Sequence, residues 1–475
     1  MTTSNRPALI ILGIIFTLAA GLRVWAAGGD LWIDEIWSLD NIALARASAK
    51  PGDWLALFFH DNTHALNTAY LALVDAWIGP YGPPLAYRAF SVVSGLGSVA
   101  VAAAIGWRRG VWEGLIAAAL IGFSYPMIHY SGEARGYAPM LLAGLAAYAI
   151  LERHLVAPTP GRMTAFIIAC LLGLASHLTF IIVLCGFGLW AAVVLFRRQE
   201  PPVRTIARLC LLFGAQIIAV TVYGAIAVNN LVIGGGAMVP AIDALGDMTE
   251  LTFGADPAGS GSVTLAIALG VSGIVWWLRR RGKPEWTFFA IVVLAFPLGM
   301  VLADLSSGLA PRYFIAPALF ALIATARGLA ALLARGPWSR TMAGLILAVI
   351  LIGNGLLAGN FFTQGRGNYA DAVTVIAGSG TRPVRFAGYH PFSIETVTAY
   401  HARRTGRAGD IQFVDAEEDA RNPAGLYIDG NFNGAAPPNE ISRAVGGGLK
   451  RYRLQVVFPH WGLSGDTWAI YRRAD

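Results

Sequence analysis

The stretch "ALIILGIIFTLAAGLRVWAA" (residues 8–27), followed by "GGDLWIDEIWS" (residues 28–38), decides the fold class of this chain. The first part is long and apolar enough to cross a bilayer as a helix. Its length argues against a cleaved signal peptide, and so does the acidic pair Asp34-Glu35, which would gain its position from an uncleaved helix. We therefore predict a signal anchor that holds Asp34 and Glu35 just outside the membrane.

The composition of the whole chain also indicates a membrane protein. The 475 residues are 56% hydrophobic and only 13% charged, whereas soluble domains carry about 25% charged residues. The net charge of +7 comes without a basic cluster interleaved with aromatic residues, so membrane lipids are predicted partners and nucleic acid is not. The three cysteines lie in apolar runs and indicate no disulfide, zinc site or nucleophile. These are Cys170, Cys185 and Cys210.

Length and absence of charge predict a polytopic α-helical protein with about eleven transmembrane helices. The predicted spans are 8–27, 85–106, 111–129, 136–151, 163–177, 178–196, 205–228, 261–278, 286–304, 312–334 and 341–361. Two of them, 163–177 and 178–196, form a tight hairpin of short helices that turns at Ser176-His177.

The distribution of basic residues predicts the orientation. If the apolar run 65–80 lies flat on the outer surface, the loops with clustered arginines fall inside, and the loop 229–260, which has no Lys or Arg, falls outside. If 65–80 crossed the membrane, every later loop would invert and the positive-inside rule would fail. This topology places Asp34-Glu35 and the C-terminus outside the cytoplasm.

The chain changes character after Phe362. Charge rises, and the apolar runs shorten to strand length at 384–389, 410–415, 425–430, 453–458 and 467–472, alternating with helical patterns near 368–378 and 391–404. We therefore predict a transmembrane domain over 1–362, with a first outer loop at 28–84, and a small extracytoplasmic α/β domain over 363–475.

On this topology the ionisable residues gather at the outer ends of the helices, where an unpaired charge is costly and a cluster indicates a functional site. A carboxylate can take a proton from an acceptor hydroxyl, arginines can hold a phosphate, and a histidine or second carboxylate can hold a divalent ion. The candidates are Asp34, Glu35, His60, Asp61, His64, Glu133, Arg135, Tyr137, His177, Arg312 and Tyr313.

Four ordered segments carry a family resemblance: "WIDEIWS" (32–38), "HDNTHALNTAYLALVDAW" (60–77) with "YRAFSVVSG" (87–95), "YSGEARGYAPMLL" (130–142) and "PRYFIAPALF" (311–320). Together they resemble the GT-C glycosyltransferases, which are polytopic enzymes that use polyprenyl-phosphate sugars. The resemblance is greatest to the bacterial branch akin to protein O-mannosyltransferases and lipid A aminoarabinose transferases. One departure lies at Ala65-Leu66-Asn67, where the family usually has prolines after the loop histidine.

The resemblance implies a role for each candidate residue. Asp34 would be the general base of an inverting transfer, with Glu35 as a helper or metal ligand. Arg135 and Arg312 would bind the donor phosphate, together with Tyr137 and Tyr313. Acceptor or metal contacts would come from His60, Asp61, His64, Glu133 and His177.

The implied donor is a polyprenyl-phosphate sugar, and the implied location is the bacterial plasma membrane. The sugar, the acceptor (a lipid, a glycan or a protein) and any divalent metal ion stay open.

Other interpretations of the sequence compete with this one. A secondary transporter or lipid flippase predicts ionisable residues near mid-membrane and paired broken helices. A polysaccharide polymerase or ligase would use a diphosphate-linked donor, and a scaffold would only display the outer domain. At the level of single residues, Asp34-Glu35 can be a solvated helix cap, Glu133 and Arg135 a surface ion pair, and Arg312 an interfacial anchor.

Overall fold

The computed structural model describes residues 6–48, 50–58, 62, 64–227, 239–257, 261–303, 309–430, 432 and 435–474. The chain divides into two compact units. The first comprises Met1–Ala27, Lys50–Tyr70 and Arg88–Ala358, and the second comprises Gly28–Ala49, Leu71–Tyr87 and Gly359–Asp475. Two pieces of the predicted first outer loop thus group with the C-terminal chain, because compact units follow contacts rather than chain order.

From Arg6 to Gln364 the described chain is mainly helical. The helices are α1 (Arg6–Ala26), α2 (Ile33–Ala47), α3 (Pro51–Leu57), α4 (Ala65–Ile78), α5 (Pro84–Trp107), α6 (Val111–Phe123), α7 (Tyr125–Ser131), α8 (Tyr137–Val156), α9 (Pro160–Ser176), α10 (Phe180–Phe196), α11 (Pro202–Ala227), α12 (Ala241–Thr252), α13 (Ser262–Arg280), α14 (Trp286–Phe289), α15 (Phe296–Leu302), α16 (Ile315–Leu333) and α17 (Pro337–Gln364). A π-helical stretch (Ala290–Ala295) joins α14 to α15, and a 3₁₀ turn (Pro311–Phe314) precedes α16.

The polytopic helical fold is confirmed, and each predicted span coincides with a helix. In the described part of the chain, seven helices are long and apolar enough to cross a membrane, or eight if the bent pair α6–α7 forms one span. The other three predicted spans coincide with α9, α10 and the helix from Trp286 to Leu302, which are apolar but shorter than the usual span. Helix α4 is also short and apolar, and its orientation flat on the membrane stays a prediction.

The predicted span 111–129 is broken, because the helix bends by 60° between α6 and α7. Pro126 lies in the first turn of α7 and has no N–H to donate to the carbonyl of Gly122. The carbonyl oxygens of Ile121 and Gly122 instead accept hydrogen bonds of 2.9 Å from the buried Arg23 guanidinium. The bend therefore has a defined cause and a defined set of replacement hydrogen bonds.

Asn354 on α17 completes this bend. Its Oδ1 accepts a 2.6 Å hydrogen bond from the N–H of Tyr125, and its Nδ2 donates to the carbonyls of Thr252 and Ile350. The Asn354 side chain is fully buried, so no solvent can replace these bonds. Asn354 thus connects α17 to the start of α7 and to the end of α12.

We expect Asn354→Leu to destabilise the protein, because the N–H of Tyr125 would lose its partner. A buried polar group without a partner costs about 1–3 kcal/mol. Thermal unfolding in detergent should therefore show a midpoint several degrees below that of the native protein. Asn360→Leu, at an exposed position of the same helix, is the matched control. An equal midpoint for both variants would contradict a structural role for Asn354.

The second unit contains a mixed β-sheet, as the predicted α/β domain requires. The strands are β1 (Val384–Gly388), β2 (Ile411–Phe413), β3 (Leu426–Asp429), β4 (Glu440–Val445), β5 (Gly448–Phe458) and β6 (Trp468–Arg473), in the order β2-β1-β3-β6-β5-β4. The pairs β1–β2 and β1–β3 are parallel and the others antiparallel. Helices α18 (Tyr369–Ala377), α19 (Pro391–Arg404) and α20 (Ala416–Arg421) accompany the strands.

Candidate functional site

The segment between α7 and α8 carries the densest group of candidate residues in the first unit, and all of it is buried. Side chains from two other helices hold its backbone. Asn67 Nδ2 donates to the carbonyl of Ala134 at 2.6 Å, and Ser91 Oγ donates to the carbonyl of Arg135 at 3.1 Å. The position of Arg135 is therefore fixed by α4 and α5 as well as by its own chain.

Gly136 allows this segment to approach the turn between α9 and α10. A Cβ atom at this position would lie 1.8 Å from the carbonyl oxygen of Ser176 and 2.9 Å from Cβ of His64. Any side chain would therefore push the neighbouring backbone away. The absence of a side chain at Gly136 brings His64, His177 and Tyr137 together.

Three aromatic rings meet beside this glycine. The imidazole rings of His64 and His177 stack with centroids 4.7 Å apart. The Tyr137 ring lies 4.7 Å from His177 and 5.6 Å from His64. Thr179 fixes the His177 ring, because its Oγ1 lies 2.8 Å from Nδ1 of His177. The predicted hairpin turn at Ser176-His177 thus places a histidine at the centre of the cluster.

Two arginines supply positive charge to these rings. Arg135 Nη1 donates a 2.7 Å hydrogen bond to Oδ1 of Asn62, and its guanidinium carbon lies 5.6 Å from the Tyr137 ring centre. Arg312 lies on the 3₁₀ turn before α16, 5.8 Å from the ring of its neighbour Tyr313. The predicted phosphate-binding arginines therefore come from distant parts of the chain and act on one cluster.

The charges of both arginines influence the pKa values of the two histidines. Burial, together with the charges of Arg135 and Arg312, lowers the pKa of His177 to about 3. The same causes lower the pKa of His64 well below its ordinary value. Both imidazoles are therefore neutral near pH 7, and each can donate one hydrogen bond to a bound oxygen. Net positive charge in the cluster comes from the arginines.

Glu133 has a partner that the sequence did not indicate. Nε2 of His129 lies 3.0 Å from Oε1 of Glu133, and both side chains are completely buried. The Tyr125 hydroxyl lies 3.3 Å from Nδ1 of the same histidine. The four-residue spacing in "HYSGE" (129–133) was the available signal for this pair. Glu133 is thus engaged in a buried pair with His129.

The acidic pair belongs to the second unit, in the first turn of α2. Glu35 is completely buried, and its Oε2 accepts a 3.2 Å hydrogen bond from the N–H of Trp32, as a helix-capping residue does. Asp34, by contrast, is only half-buried. The two neighbouring carboxylates therefore have different environments, and Asp34 is the more accessible of them.

The segment that leads to Asp34 is attached to the C-terminal part of the same unit. Asp30 accepts hydrogen bonds from the N–H of Ala370 at 2.7 Å and from Arg404 at 3.2 Å. Nε2 of the buried His401 lies 3.0 Å from the carbonyl oxygen of Leu31. The Trp37 and Phe392 rings meet edge to face at 5.3 Å. These contacts fix the start of α2, and sequence analysis predicted none of them.

Asp466, His460 and Tyr389 of the same unit influence one another electrostatically, and the charge of Asp34 reaches this group. Burial raises the pKa of Asp466, and the negative charge of Asp34 adds to this effect, whereas the charge of His460 and a hydrogen bond from Tyr389 oppose it. Asp34 therefore lies within electrostatic range of Asp466. Sequence analysis assigned no role to Asp466 or His460, because no motif marks them.

The predicted metal contacts are not supported by a metal site among the described residues. His60 and Asp61 lie outside the described residues. Among the residues that are described, no group of three His, Cys, Asp or Glu side chains is placed to hold a metal ion. A metal contact by His64, Glu133 or His177 stays a prediction.

Comparison with solved structures identifies the fold. The chain has the fold of ArnT from Cupriavidus metallidurans, solved in the apo state, with a TM-score of 0.52, 13% identity and coverage of 99% of this chain and 98% of that one. ArnT bound to undecaprenyl phosphate gives a TM-score of 0.50 at 14% identity, with the same coverage. The fold that the motif resemblance implied is thereby confirmed.

A weaker likeness, with a TM-score of 0.48 and 11% identity, links the chain to the Archaeoglobus fulgidus oligosaccharyltransferase and covers 88% of this chain and 68% of that one. No protein-family model matches the chain, and no curated protein sequence matches it.

Proposed function

We propose that this protein is a membrane glycosyltransferase that moves one sugar from a polyprenyl-phosphate donor to an acceptor outside the cytoplasm. The main support is the convergence of Arg135 and Arg312 on one cluster of neutral histidines and tyrosines. Further support is the fold, which the chain shares with a protein solved with bound undecaprenyl phosphate.

The cluster formed by His64, His177, Tyr137, Arg135 and Arg312 is chemically suited to bind the phosphate that leaves the sugar. When the bond between the sugar and the phosphate oxygen breaks, the polyprenyl phosphate gains negative charge. Two guanidinium groups can stabilise this charge, and a planar guanidinium can bind two phosphate oxygens at once. The neutral His64 and His177 and the Tyr137 hydroxyl are suited to donate hydrogen bonds without repelling either arginine. In this proposal Arg135 and Arg312 bind the donor phosphate, with Tyr137 and Tyr313 beside them.

Asp34 is the proposed general base. Its carboxylate accepts the proton of the acceptor group as the acceptor oxygen or nitrogen forms a bond to the anomeric carbon. The phosphate leaves from the opposite face, so the configuration at that carbon inverts. Glu35 is proposed to assist mainly by fixing the first turn of α2, since its carboxylate already caps the helix at Trp32. The acceptor is a lipid, a glycan or a protein that carries a hydroxyl or amino group.

A direct assay tests this function. The purified protein is incubated with undecaprenyl-phosphate sugars and an envelope extract, with and without a chelator of divalent ions. We expect sugar transfer together with release of undecaprenyl phosphate. In parallel, mass spectrometry of surface glycolipids and glycoproteins from a deletion strain should show the loss of one sugar. If neither experiment shows a transferred sugar with any donor, the proposal is wrong.

The proposed orientation makes a separate prediction. A reporter enzyme that is active only outside the cytoplasm should be active when fused after Phe362. The same reporter should be inactive when fused at Gly110, between α5 and α6. The physical reason is the concentration of arginine in the loops that are predicted to face the cytoplasm. An active fusion at Gly110 would mean that 65–80 crosses the membrane and that the orientation is inverted.

A further inference from the structure

A cavity lined by several charged side chains lies in the first unit, near the end of α8 opposite to Tyr137. It has a volume of about 990 Å³ and lies where the connections α5–α6, α13–α14 and α16–α17 meet the end of α8. These connections are the arginine-rich loops that are predicted to face the cytoplasm. Five basic and three acidic side chains line the cavity, which leaves an excess of two positive charges. We call this cavity the basic crevice.

The acidic residues of the basic crevice are already neutralised. Glu285 lies 3.0 Å from Arg327, and Glu113 lies 3.5 Å from Arg327 and 3.3 Å from Arg109. Glu152 pairs with Arg109 as well. Arg327 is almost fully buried, so this network is an internal part of the fold. The acids are thus not available to neutralise the other cations of the crevice.

The remaining cations are Arg281, Lys283 and Arg335, and all three are exposed. Within the part of the chain that the structure describes, none of them lies in an ion pair with a carboxylate. The Arg281 guanidinium is 5.9 Å from the Trp277 ring, which gives it an aromatic neighbour but no compensating charge. Three positive charges around one cavity create a site that favours an anion.

An apolar groove continues from the basic crevice. It has a volume of about 740 Å³, it lies between α13, α16 and α17, and apolar side chains such as Ile274 and Val349 dominate its lining. The groove and the crevice share Trp277, Ala331 and Arg335. One molecule with a charged end and an apolar chain would therefore fit both, with Arg335 at the junction.

We propose that the crevice and the groove together bind one anionic glycerophospholipid of the membrane. Arg281, Lys283 and Arg335 bind its headgroup phosphate, and an acyl chain occupies the groove. Basic pockets between transmembrane helices on the cytoplasmic side are suited to such headgroups, and three cations favour an anionic lipid over a zwitterionic one. This site involves none of the residues proposed for sugar transfer, so it is independent of the proposed function.

The test is a binding titration of the purified full-length protein in detergent, followed by native mass spectrometry. Dioleoyl phosphatidylglycerol is compared with dioleoyl phosphatidylcholine, which has the same chains and a zwitterionic headgroup. We expect at least tenfold tighter binding of phosphatidylglycerol. The variant Arg281→Gln/Lys283→Gln/Arg335→Gln should bind it about 100-fold more weakly, at roughly fivefold for each cation removed.

Matched controls distinguish binding at the basic crevice from nonspecific attraction of the lipid by positive charge. Arg197→Gln/Arg204→Gln/Arg280→Gln removes the same charge from exposed positions that line neither cavity, and it should keep nearly full affinity. Inorganic phosphate at the same concentrations should not displace the lipid, because it cannot occupy the groove. Equal affinity of the crevice variant and the native protein would overturn the proposal. Equal binding of both phospholipids would do so as well, and so would preferential loss of undecaprenyl phosphate from the variant.

Discussion

Replacing Asp34 by asparagine is expected to lower turnover by about 10²- to 10⁴-fold, the usual contribution of a general base. Asparagine keeps the size of the side chain but cannot accept the proton from the acceptor. The affinity for the donor should change little, because a base acts mainly in the transition state. The measurement is a pair of assays on the same preparation, one of turnover and one of binding of an undecaprenyl-phosphate analogue.

Asp40→Asn provides the control for this experiment. Asp40 lies on α2 as well and is also half-buried, so the substitution removes another half-buried carboxylate from the same helix. Turnover in this variant should stay within a fewfold of the native value. A similar loss in both variants would assign the effect to the stability of α2. Near-normal turnover of Asp34→Asn would remove Asp34 as the base.

Loss of either Arg135 or Arg312 should weaken donor binding by roughly 10- to 100-fold. A charge-assisted hydrogen bond contributes about 1.5–3 kcal/mol, so the net loss of about one such bond to the phosphate accounts for this range. We therefore expect Arg135→Ala and Arg312→Ala to raise the dissociation constant of an undecaprenyl-phosphate analogue in detergent. Arg135→Lys should recover part of the loss, because lysine keeps the charge but not the planar fork.

The Asn62→Ala variant shows whether the position of Arg135 matters as well as its charge. Asn62 accepts a hydrogen bond from Arg135, so its removal leaves the charge but deletes one bond that orients the guanidinium. Its effect on binding should lie between those of the native protein and Arg135→Ala. Thermal unfolding of each variant must be measured, since Arg135 is buried. Unchanged donor affinity in both alanine variants would remove the phosphate site from this cluster, and with it the main support for the proposed function.

In the structure the two residues of the acidic pair Asp34-Glu35 have different environments. By sequence, Asp34 and Glu35 are equivalent carboxylates at the mouth of an apolar helix. In the structure only Asp34 keeps an accessible carboxylate, whereas Glu35 is buried against the N–H of Trp32. The C-terminal part of the second unit adds His401 and Arg404, which hold the segment before the pair. This attachment argues against the scaffold interpretation, in which the protein would only display its C-terminal domain.

Two errors of sequence analysis have local physical causes. Strand β4 was missed because it lies at an edge of the sheet, where the polar residues Glu440, Ser442 and Arg443 interrupt the apolar ones and no apolar run forms. The bend after Phe123 was missed because the window from 111 to 129 is mostly apolar and Glu113 is its only Asp, Glu, Lys or Arg. Pro126 was a visible signal of that bend, but the carbonyl groups it frees are satisfied by Arg23, which is distant in sequence.

The sequence by itself determined the membrane class, the position of every predicted span, the turn at Ser176-His177 and the α/β character of the C-terminal chain. These features depend on the length, periodicity and charge of continuous segments, and such properties are local. Only the tertiary structure decided which ionisable residues meet. The stacking of His64 on His177, the hydrogen bond from Arg135 to Asn62 and the attachment of Asp30 to Arg404 join residues through packing. Packing brings together side chains that are far apart in the chain, and no periodic pattern in the sequence links them.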